Sequence, residues 1–391
     1  MDNLNNFLKS TVLLFFACLH MGAFGMNIFA SASGDNSIKI WKQSKDNQFE
    51  CVQTIDQDSD GHKEPVMSIA FNDNGLLASG SCDRTIKIWA PTTNNQFKHI
   101  QTINCNSGGH VNWITALAFN KDGLLVSVSR DKTIKIWAPI TNNQFKHIQT
   151  LNYNSAFLTD WVSSIAFTKN GLLVSGSRNG TIRVWEKNKD NQFECVQTID
   201  QNSDGHTESI MSIAVTKDGL LASGSYDETI KVWKQNENNH FELKQTLDQN
   251  SHGHTDSVKS IAFTKNGLLI SGSDDNTIKV WKPNTDGRFT PIQTIDYNFN
   301  EHTHTAWVTS TTSNKDGFLV SGADKGAIKI WKKNKKESFK YIQTIDYNSD
   351  GHTYPVFSIA CMPSEKKLDE FNQNLKTNCE YKDLKIITHE E

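Results

Sequence analysis

Two loops of the chain carry oxygen-bearing side chains at alternate positions, a spacing that suits a hard cation such as Ca²⁺. The first loop holds Asp56, Asp58 and Asp60, followed by Gly61 and Glu64. The second loop repeats this pattern with Asp200, Asn202, Asp204 and Glu208. Where an EF-hand has its closing glutamate, these loops have Met67 and Met211. Asx-turns, in which an Asp or Asn side chain accepts a bond from a nearby backbone N–H, explain the same enrichment, and we favour them over calcium.

Two histidine pairs suggest a second kind of metal site, and with it a hydrolase. The pairs are His252 with His254 and His302 with His304, and Glu301 lies beside the second pair. Imidazole nitrogens and a carboxylate are ordinary zinc ligands. No nucleophile with a matching base accompanies them, so surface histidines are the simpler interpretation. We therefore predict no catalytic residue, no metal and no cofactor.

Seven tryptophans stand on a regular lattice along the chain. The first six are 48 residues apart and the last follows after 50: Trp41, Trp89, Trp137, Trp185, Trp233, Trp281 and Trp331. A fixed period of this size indicates a solenoid, a propeller or an array. Each unit has four short runs rich in Ile, Val, Thr and aromatics between turn-formers such as Asn-Gly and Asp-Gly. This pattern predicts four antiparallel strands, which the second unit should place near 66–71, 76–81, 85–89 and 97–103.

The third predicted strand of each unit is apolar on both faces. In the second unit Ile86 and Ile88 share one face, and Trp89 lies on the other. A single small sheet cannot bury both faces, whereas a closed ring of seven sheets can. The sequence therefore predicts an all-β fold, a seven-bladed β-propeller of four-stranded antiparallel blades.

The units resemble the WD-repeat (beta-transducin) family. A clear unit has a Gly-His pair, an Ala-Ser-Gly-Ser strand, an Asp in the next turn and a Trp ending the following strand, as in GHTESIMSIAV…GLLASGSYDETIKVW at 205–233. The resemblance covers about 27–362 and implies a hydrogen-bonded His, Ser, Asp and Trp tetrad in each blade. Such a network would satisfy a buried imidazole and indole. By resemblance four tetrads are His62, Ser79, Asp83, Trp89; His110, Ser127, Asp131, Trp137; His206, Ser223, Asp227, Trp233; and His254, Ser271, Asp275, Trp281.

Two units depart from the family pattern. The fourth has Leu158 and Asn179 at the His and Asp positions, and the seventh has Lys325 at the Asp position. The Asp that usually follows the tryptophan is absent from every unit. Tetrads are therefore expected to be incomplete in the fourth and seventh blades.

The two ends of the repeat region complement each other. The first unit supplies strands near 28–33, 37–41 and 49–55 but no good innermost strand, and 351–361 supplies an innermost strand alone. Joined, they complete the first blade and a fifth tetrad of His352, Ser31, Asp35 and Trp41. Closing the ring in this way removes two sheet edges that would otherwise invite aggregation.

Three tryptophans lie off the lattice and are the first candidates for function. Trp113, Trp161 and Trp307 share one repeat position, three residues after the histidine of Gly-His, where other units have Pro or Ser. The fold therefore does not require an aromatic there. By resemblance, the position begins the innermost strand on the top face of the propeller, around the central channel.

Basic and aromatic residues are expected beside these tryptophans. Arg130 and Arg178 precede the turn Asp position of adjacent blades and Tyr226 follows in the next, so they should face Asp274 and Asp324 across the ring. Large aromatics near cations are typical interface anchors, and an acidic or phosphorylated peptide would suit this side. The alternative is that each Trp packs on its own blade. The predicted function is a non-enzymatic scaffold that binds a protein or peptide on the top face; the rival is a calcium- or metal-dependent adhesion protein or hydrolase.

The N-terminus predicts export. Residues 1–25 contain one Lys, an apolar stretch from about Thr11 to Leu19 and Ala23-Phe24-Gly25 as a small-residue cleavage site, a pattern typical of a signal peptide. The protein would then be secreted or periplasmic. The alternative is a cytoplasmic protein in which 18–24 forms an inner strand of the first blade. The stretch is too short to span a membrane.

Composition is consistent with one soluble domain at 26–362, expected to be monomeric. The net charge is −3, which does not suggest a nucleic-acid surface. The seven cysteines show no C-x-x-C spacing, so their pairing cannot be deduced. The charged tail at 363–391 lacks a repeat signature, and either a short helix near 364–376 or disorder is expected there.

Overall fold

The computed structural model describes residues 27–92, 94–152, 160–296 and 306–363. Within these ranges the chain forms seven four-stranded antiparallel sheets. They are the blades of a β-propeller, which confirms the predicted fold class. The helical segments of these ranges are 3-10 turns, none of which is long and apolar enough to cross a membrane: Gln57–Ser59, Cys105–Ser107, Thr141–Asn143, Gln201–Ser203, Gln249–Ser251 and Tyr347–Ser349.

We number the blades 1 to 7 by their lattice tryptophans and the strands of each blade from the inside outward. The inner strands are Val356–Cys361, Val66–Phe71, Ile114–Phe119, Val162–Phe167, Ile210–Val215, Val258–Phe263 and Val308–Ser313. The second strands are Ile28–Ser33, Leu77–Ser81, Leu125–Ser129, Leu173–Ser177, Leu220–Ser225, Leu269–Ser273 and Phe318–Ala323. The third strands are Ile38–Gln43, Ile86–Pro91, Thr133–Pro139, Ile182–Lys187, Ile230–Gln235, Thr277–Pro283 and Ile328–Lys333. The outer strands are Phe49–Ile55, Phe97–Ile103, Phe145–Asn152, Phe193–Ile199, Phe241–Leu247, Phe289–Asp296 and Phe339–Ile345.

The strands of blade 2 lie where the sequence predicts them, and only the third differs noticeably at its ends. It begins at Ile86 because the Thr85 hydroxyl donates to the Asp83 carboxylate at 2.6 Å and holds Thr85 in the turn. It continues to Pro91, which pairs with Phe97 of the outer strand. Turn chemistry therefore decides where this strand begins.

The core is divided into seven apolar clusters, one at each interface between neighbouring blades. Between blades 2 and 3, for example, Trp137 packs with Ile86 and Ile88 and is 1% exposed. The lattice tryptophans thus bury the third strand of the preceding blade. Gly80 permits the close approach of the next blade, because a Cβ there would collide with Ile114 Cγ2.

A glutamine from each outer strand ties each blade to the next. Gln53 Nε2 donates to the carbonyl of Phe97 at 2.9 Å, and the Phe97 N–H donates to Gln53 Oε1 at 2.6 Å. The same two bonds recur around the whole ring. We call these pairs the glutamine clasps: Gln53–Phe97, Gln101–Phe145, Gln149–Phe193, Gln197–Phe241, Gln245–Phe289, Gln293–Phe339 and Gln343–Phe49. Each clasp satisfies polar backbone groups on an edge strand.

A second set of bonds joins the inner strands. The Leu117 N–H donates to Ser68 Oγ of the preceding blade at 3.0 Å. Equivalent bonds join Ser164 to Ile213, Ser212 to Ile261, Ser260 to Thr311, Ser310 to Ile359 and Ser358 to Ile69. Between blades 3 and 4 the serine is replaced by Ala116, which has no hydroxyl. The neighbouring Thr115 hydroxyl donates to the Val162 carbonyl at 2.7 Å, a bond that Ser163 and Thr309 also make to the next blade.

The C-terminal strand closes blade 1, as the sequence predicts. Val356–Cys361 pairs antiparallel with Ile28–Ser33, with Ser31 opposite Ile359. The Met362 N–H extends the ladder by donating to the carbonyl of Ile28 at 3.0 Å. The only blade assembled from both ends of the repeat region is therefore held together by hydrogen bonds and packing, without a chain connection between its inner and second strands.

Candidate partner-binding face

The turns between second and third strands and the loops that enter the inner strands meet at one end of the propeller, because neighbouring strands run antiparallel. We call this end the top face. At this end, the residue before the turn Asp position donates its N–H to the carbonyl at the start of the inner strand. The bonded pairs are Arg130 to Trp113 (3.0 Å), Arg178 to Trp161 (3.2 Å), Asp324 to Trp307 (3.1 Å), Tyr226 to Ser209 (2.9 Å), Asp274 to Ser257 (3.0 Å), Cys82 to Pro65 (2.9 Å) and Gly34 to Pro355 (2.9 Å). The two repeat positions singled out in the sequence are therefore adjacent in every blade.

The side chains at these positions form a stack that crosses from blade to blade. The Arg130 guanidinium carbon lies 4.0 Å from the ring centroid of Trp113 and 4.7 Å from that of Trp161. Arg178 continues the stack, 4.9 Å from Trp161 and 5.5 Å from Tyr226. Five of the six residues predicted to bind a partner thus lie in one continuous arrangement.

Lys259 extends the stack and was missed by the sequence analysis. Its ammonium nitrogen lies 4.1 Å from the Tyr226 ring centroid and 2.9 Å from Asp274 Oδ2. We call the full set the cation–aromatic stack: Trp113, Arg130, Trp161, Arg178, Tyr226 and Lys259. The sequence did contain a signal: Lys259 is a charged residue at a repeat position that is uncharged in the other blades. This position, the second of the inner strand, holds Met67, Thr115, Ser163, Met211, Thr309 or Phe357 there.

A cavity of about 380 Å³ opens at the top of the central channel, beside the stack. Residues of all seven blades line it, among them Arg130, Trp161, Arg178 and Tyr226. Trp307, which is 51% exposed, lines the cavity from blade 7 and is not part of the stack. Trp113 lines a neighbouring cavity instead, together with Cys82 and His110.

Burial sets the electrostatics of this cavity. It lowers the pKa of Arg130, and the nearby charge of Arg178 acts in the same direction. Burial also raises the pKa of Asp274, against the opposing effect of Lys259, and it raises the pKa of Asp324. Arg130 Nε, Asp274 Oδ1 and Asp324 Oδ1 are buried and have no hydrogen-bond partner in the part of the chain that the structure describes. Buried polar atoms are normally bonded, so this concentration at one cavity favours a ligand-binding role.

Below the top face, the four residues of each complete tetrad are joined in one chain of hydrogen bonds. In blade 2 the Trp89 Nε1–H donates to Ser79 Oγ at 3.0 Å, and His62 contacts Ser79 Oγ at 2.8 Å and Asp83 Oδ2 at 2.9 Å. A neutral imidazole protonated on Nδ1 satisfies every member. The same chain links the tetrads of blades 1, 3, 5 and 6, with His352, His110, His206 and His254 at their centres.

A fifth residue with a hydroxyl group, which the sequence analysis missed, supports the carboxylate of each complete tetrad. The Thr85 hydroxyl donates to Asp83 Oδ1 at 2.6 Å. Burial alone would raise the pKa of Asp83, but the bonds from His62 and Thr85 hold it well below its usual range. The equivalent hydroxyls are Ser37, Thr133, Thr229 and Thr277. The signal was the hydroxyl residue two positions after each turn Asp.

Blade 4 keeps only part of this network. Trp185 Nε1–H still donates to Ser175 Oγ at 2.9 Å, and Asn179 accepts from the Thr181 N–H at 3.2 Å. Leu158, and in blade 7 His304, lie outside the described residues. Blade 7 has Lys325 at the turn position, as the sequence indicates.

The Asp-rich loops use their first carboxylates to cap 3-10 turns. Asp56 Oδ1 accepts from the Ser59 N–H at 3.2 Å, and Asp200 Oδ1 accepts from the Asn202 N–H at 3.0 Å. Asp60 and Asp204 end these turns in the left-handed region. Across the described ranges no cluster of three His, Cys, Asp or Glu side chains is placed to hold a metal ion. His302 and Glu301 lie outside those ranges, and His252 ends the 3-10 turn of its own loop.

Comparison with known proteins identifies the family. Six stretches, which together span more than half of the chain, match the family described as "WD domain, G-beta repeat": 49–90, 98–138, 145–186, 193–234, 242–282 and 291–332. The chain belongs to this WD40 family. WD40 propellers are generally protein-interaction scaffolds and are typically not enzymes.

One solved structure illustrates the likeness of fold. The crystal structure of the WD40 beta propeller domain of Doa1 superposes with a TM-score of 0.60 and is 22% identical in sequence. The match covers 80% of this chain and 91% of that one. At this identity the likeness shows the fold alone. No curated protein sequence matches the chain.

Proposed function

We propose that this WD40 protein is a non-enzymatic scaffold whose top face binds an acidic or phosphorylated segment of a protein partner through the cation–aromatic stack. The observation that carries the proposal is that Arg130 and Arg178 are stacked on aromatic rings but lack a carboxylate partner among the described residues. Both guanidinium groups lie between aromatic rings, and neither has a carboxylate within 4.0 Å among the described side chains.

This arrangement prepares the arginines for an anion. An arginine held between rings loses little further side-chain freedom on binding. The rings cover the faces of the planar guanidinium group, whereas its N–H donors lie along its edge. Guanidinium groups bind carboxylate and phosphate through charge-assisted, often bidentate bonds. Because Lys259 neutralises Asp274, the arginines leave this side of the cavity with an excess of positive charge.

Peptide libraries test the proposal. Three libraries with degenerate flanking positions carry phosphoserine, glutamate or serine at a fixed central position, and retention on the immobilised protein is measured. We expect the phosphoserine and glutamate libraries to be retained and the serine library to be lost. Arg130→Gln should reduce retention, whereas Arg288→Gln, which removes the same charge from an exposed turn at the other end of the propeller, should not. Equal retention of all three libraries would contradict the proposal.

The tryptophans of the stack are tested separately. Replacing Trp113 and Trp161 together by Ala should change the melting temperature little, because the fold tolerates Pro or Ser at that position. It should weaken binding of a retained peptide at least tenfold, since buried aromatic anchors often contribute ~2 kcal/mol or more each. Trp89→Ala should instead destabilise the fold by roughly 3–5 kcal/mol. If the double variant unfolds readily, these tryptophans are packing residues and their proposed role in binding is wrong.

We also propose that the protein is exported through residues 1–25. These residues and 364–391 lie outside the described ranges, and the boundaries at 25, 26, 362 and 363 stay predictions. The monomeric state likewise stays a prediction.

A further inference from the structure

The cavity at the top of the channel has an acidic half on the side of blades 6 and 7. Asp274 in this half is neutralised by Lys259, whose ammonium lies 2.9 Å from Asp274 Oδ2. Asp324 has no cation within 4.0 Å among the described side chains, and its Oδ1 is buried without a hydrogen-bond partner there. Burial raises the pKa of Asp324, although the charge of Lys325 and nearby backbone N–H groups oppose that effect. This carboxylate is therefore poorly compensated inside the protein.

An exposed aromatic wall adjoins the same carboxylate. Asp324 is tied to Trp307 by a backbone bond of 3.1 Å, and the indole of Trp307 is 51% exposed. Pro355 and Phe357 of blade 1 continue the lining of the cavity on this side. A carboxylate beside an aromatic face attracts ammonium and guanidinium groups, through ion pairing and through the negative face of the ring.

We infer that this half of the cavity receives a lysine or arginine side chain of the bound segment, with Asp324 as its ion-pair partner and the face of the Trp307 ring against its charged group. The inference rests on the proposed function, since the same segment supplies the acidic group for Arg130 and Arg178. Those arginines belong to blades 3 and 4, and Asp324 belongs to blade 7, on the other side of the ring. The segment would therefore cross the channel mouth with its acidic and basic groups at opposite ends.

The peptide libraries described above also test this inference. Sequencing of retained phosphoserine peptides should show Lys or Arg enriched at one fixed distance from the phosphoserine. A single retained peptide is then compared with its norleucine variant, which keeps the lysine stem and removes the charge. Binding, measured by fluorescence anisotropy, should favour lysine about tenfold, as a charge-assisted bond in a partly buried site would.

Variants of the protein assign the preference to Asp324. Asp324→Asn should abolish the discrimination between lysine and norleucine and keep the dependence on phosphate. Asp218→Asn, an exposed carboxylate at the other end of the propeller, is the matched control and should change neither. Trp307→Ala should reduce the same discrimination between lysine and norleucine. If Asp324→Asn lowers the melting temperature too far for binding to be measured, Trp307→Ala, at a half-exposed position, tests the inference in its place.

The outcomes separate this inference from the proposed function. Two results would overturn the inference and leave the proposed function standing. The first is phosphate-dependent binding without a preference for a basic residue. The second is a preference for a basic residue that survives both Asp324→Asn and Trp307→Ala. A lysine preference without any dependence on phosphate or glutamate overturns the proposed function. Retention of none of the libraries overturns both.

Discussion

The glutamine clasp between the last and first blades offers a direct test of what holds the ring closed. Gln343 Nε2 donates to the carbonyl of Phe49 at 3.0 Å, and its Oε1 accepts from the Phe49 N–H at 2.7 Å. Gln343→Met keeps the length of the side chain and removes both bonds. The Phe49 groups lie on an edge strand, so no other strand replaces the lost partner.

The expected cost follows from the two bonds. Each is worth about 0.5–1.5 kcal/mol net, so the loss should be about 1–3 kcal/mol. In a domain larger than 200 residues this corresponds to a fall in melting temperature of about 2–5 °C. Gln197→Met removes an equivalent clasp, with two bonds of 2.8 Å between blades 4 and 5, and should cost about the same.

The assay is a thermal melt followed by circular dichroism, supported by urea unfolding. Gln48→Met is the matched control, because Gln48 directly precedes Phe49, is exposed and should tolerate the change. Gln343→Glu separates the two bonds: the carboxylate can still accept from the Phe49 N–H but cannot donate to the carbonyl, so it should not restore stability. If Gln343→Met melts within error of Gln48→Met, the clasps do not stabilise the ring and the reasoning is refuted.

Three further predictions concern closure, acid stability and export. Deleting 351–391 should expose two strand edges of blade 1 and cause aggregation or loss of cooperative unfolding, whereas deleting 363–391 should be mild; two truncations that melt alike would show that the C-terminal strand does not close the ring. The pKa of Asp275 is lowered by His254 and Thr277 against the effect of burial, so this carboxylate stabilises the fold above pH ~4, and the stability is lost as pH falls toward its folded pKa. Asp275→Asn should therefore reduce the fall of the melting temperature at acid pH. The control Asp286→Asn, at an exposed position in a turn, should leave that fall unchanged. The mature chain from the native host should begin near Met26, and an intact Met1 in a soluble cytoplasmic fraction would argue against export.

The sequence predicted the architecture well because the fold repeats its own local rules. The 48-residue period, the four apolar runs per unit and the turn pairs all depend on near neighbours in the chain. The composite blade 1 was also predictable, since 28–33 lacked an inner partner and 356–361 lacked the other three strands. The hydrogen-bonded tetrads connect residues of adjacent strands, so their members could be assigned from the resemblance.

Two of the missed features, the glutamine clasps and Lys259, depend on contacts between blades. Gln343 and Phe49 are 294 residues apart, and a glutamine before Thr-Ile or Thr-Leu in each outer strand looks like an ordinary polar position. Lys259 was overlooked for the same reason. Its charge is unusual at this repeat position, but the sequence near it does not show that the Tyr226 ring of the preceding blade lies beside it. A repeat pattern identifies which residues are equivalent, but it does not give the distance between equivalent residues of neighbouring blades.

The sequence by itself determined the number of blades, the strand order and the repeat positions that reach the top face, because local hydrogen bonding and burial decide these. Only the tertiary structure decided which charges remain without partners. Lys259 neutralises Asp274, but no described side chain neutralises Asp324. Indoles cover Arg130, but no carboxylate of the described ranges pairs with it. The physical reason is that an ion pair depends on separations of a few ångströms between side chains of different blades, which ring closure fixes and the linear pattern does not contain.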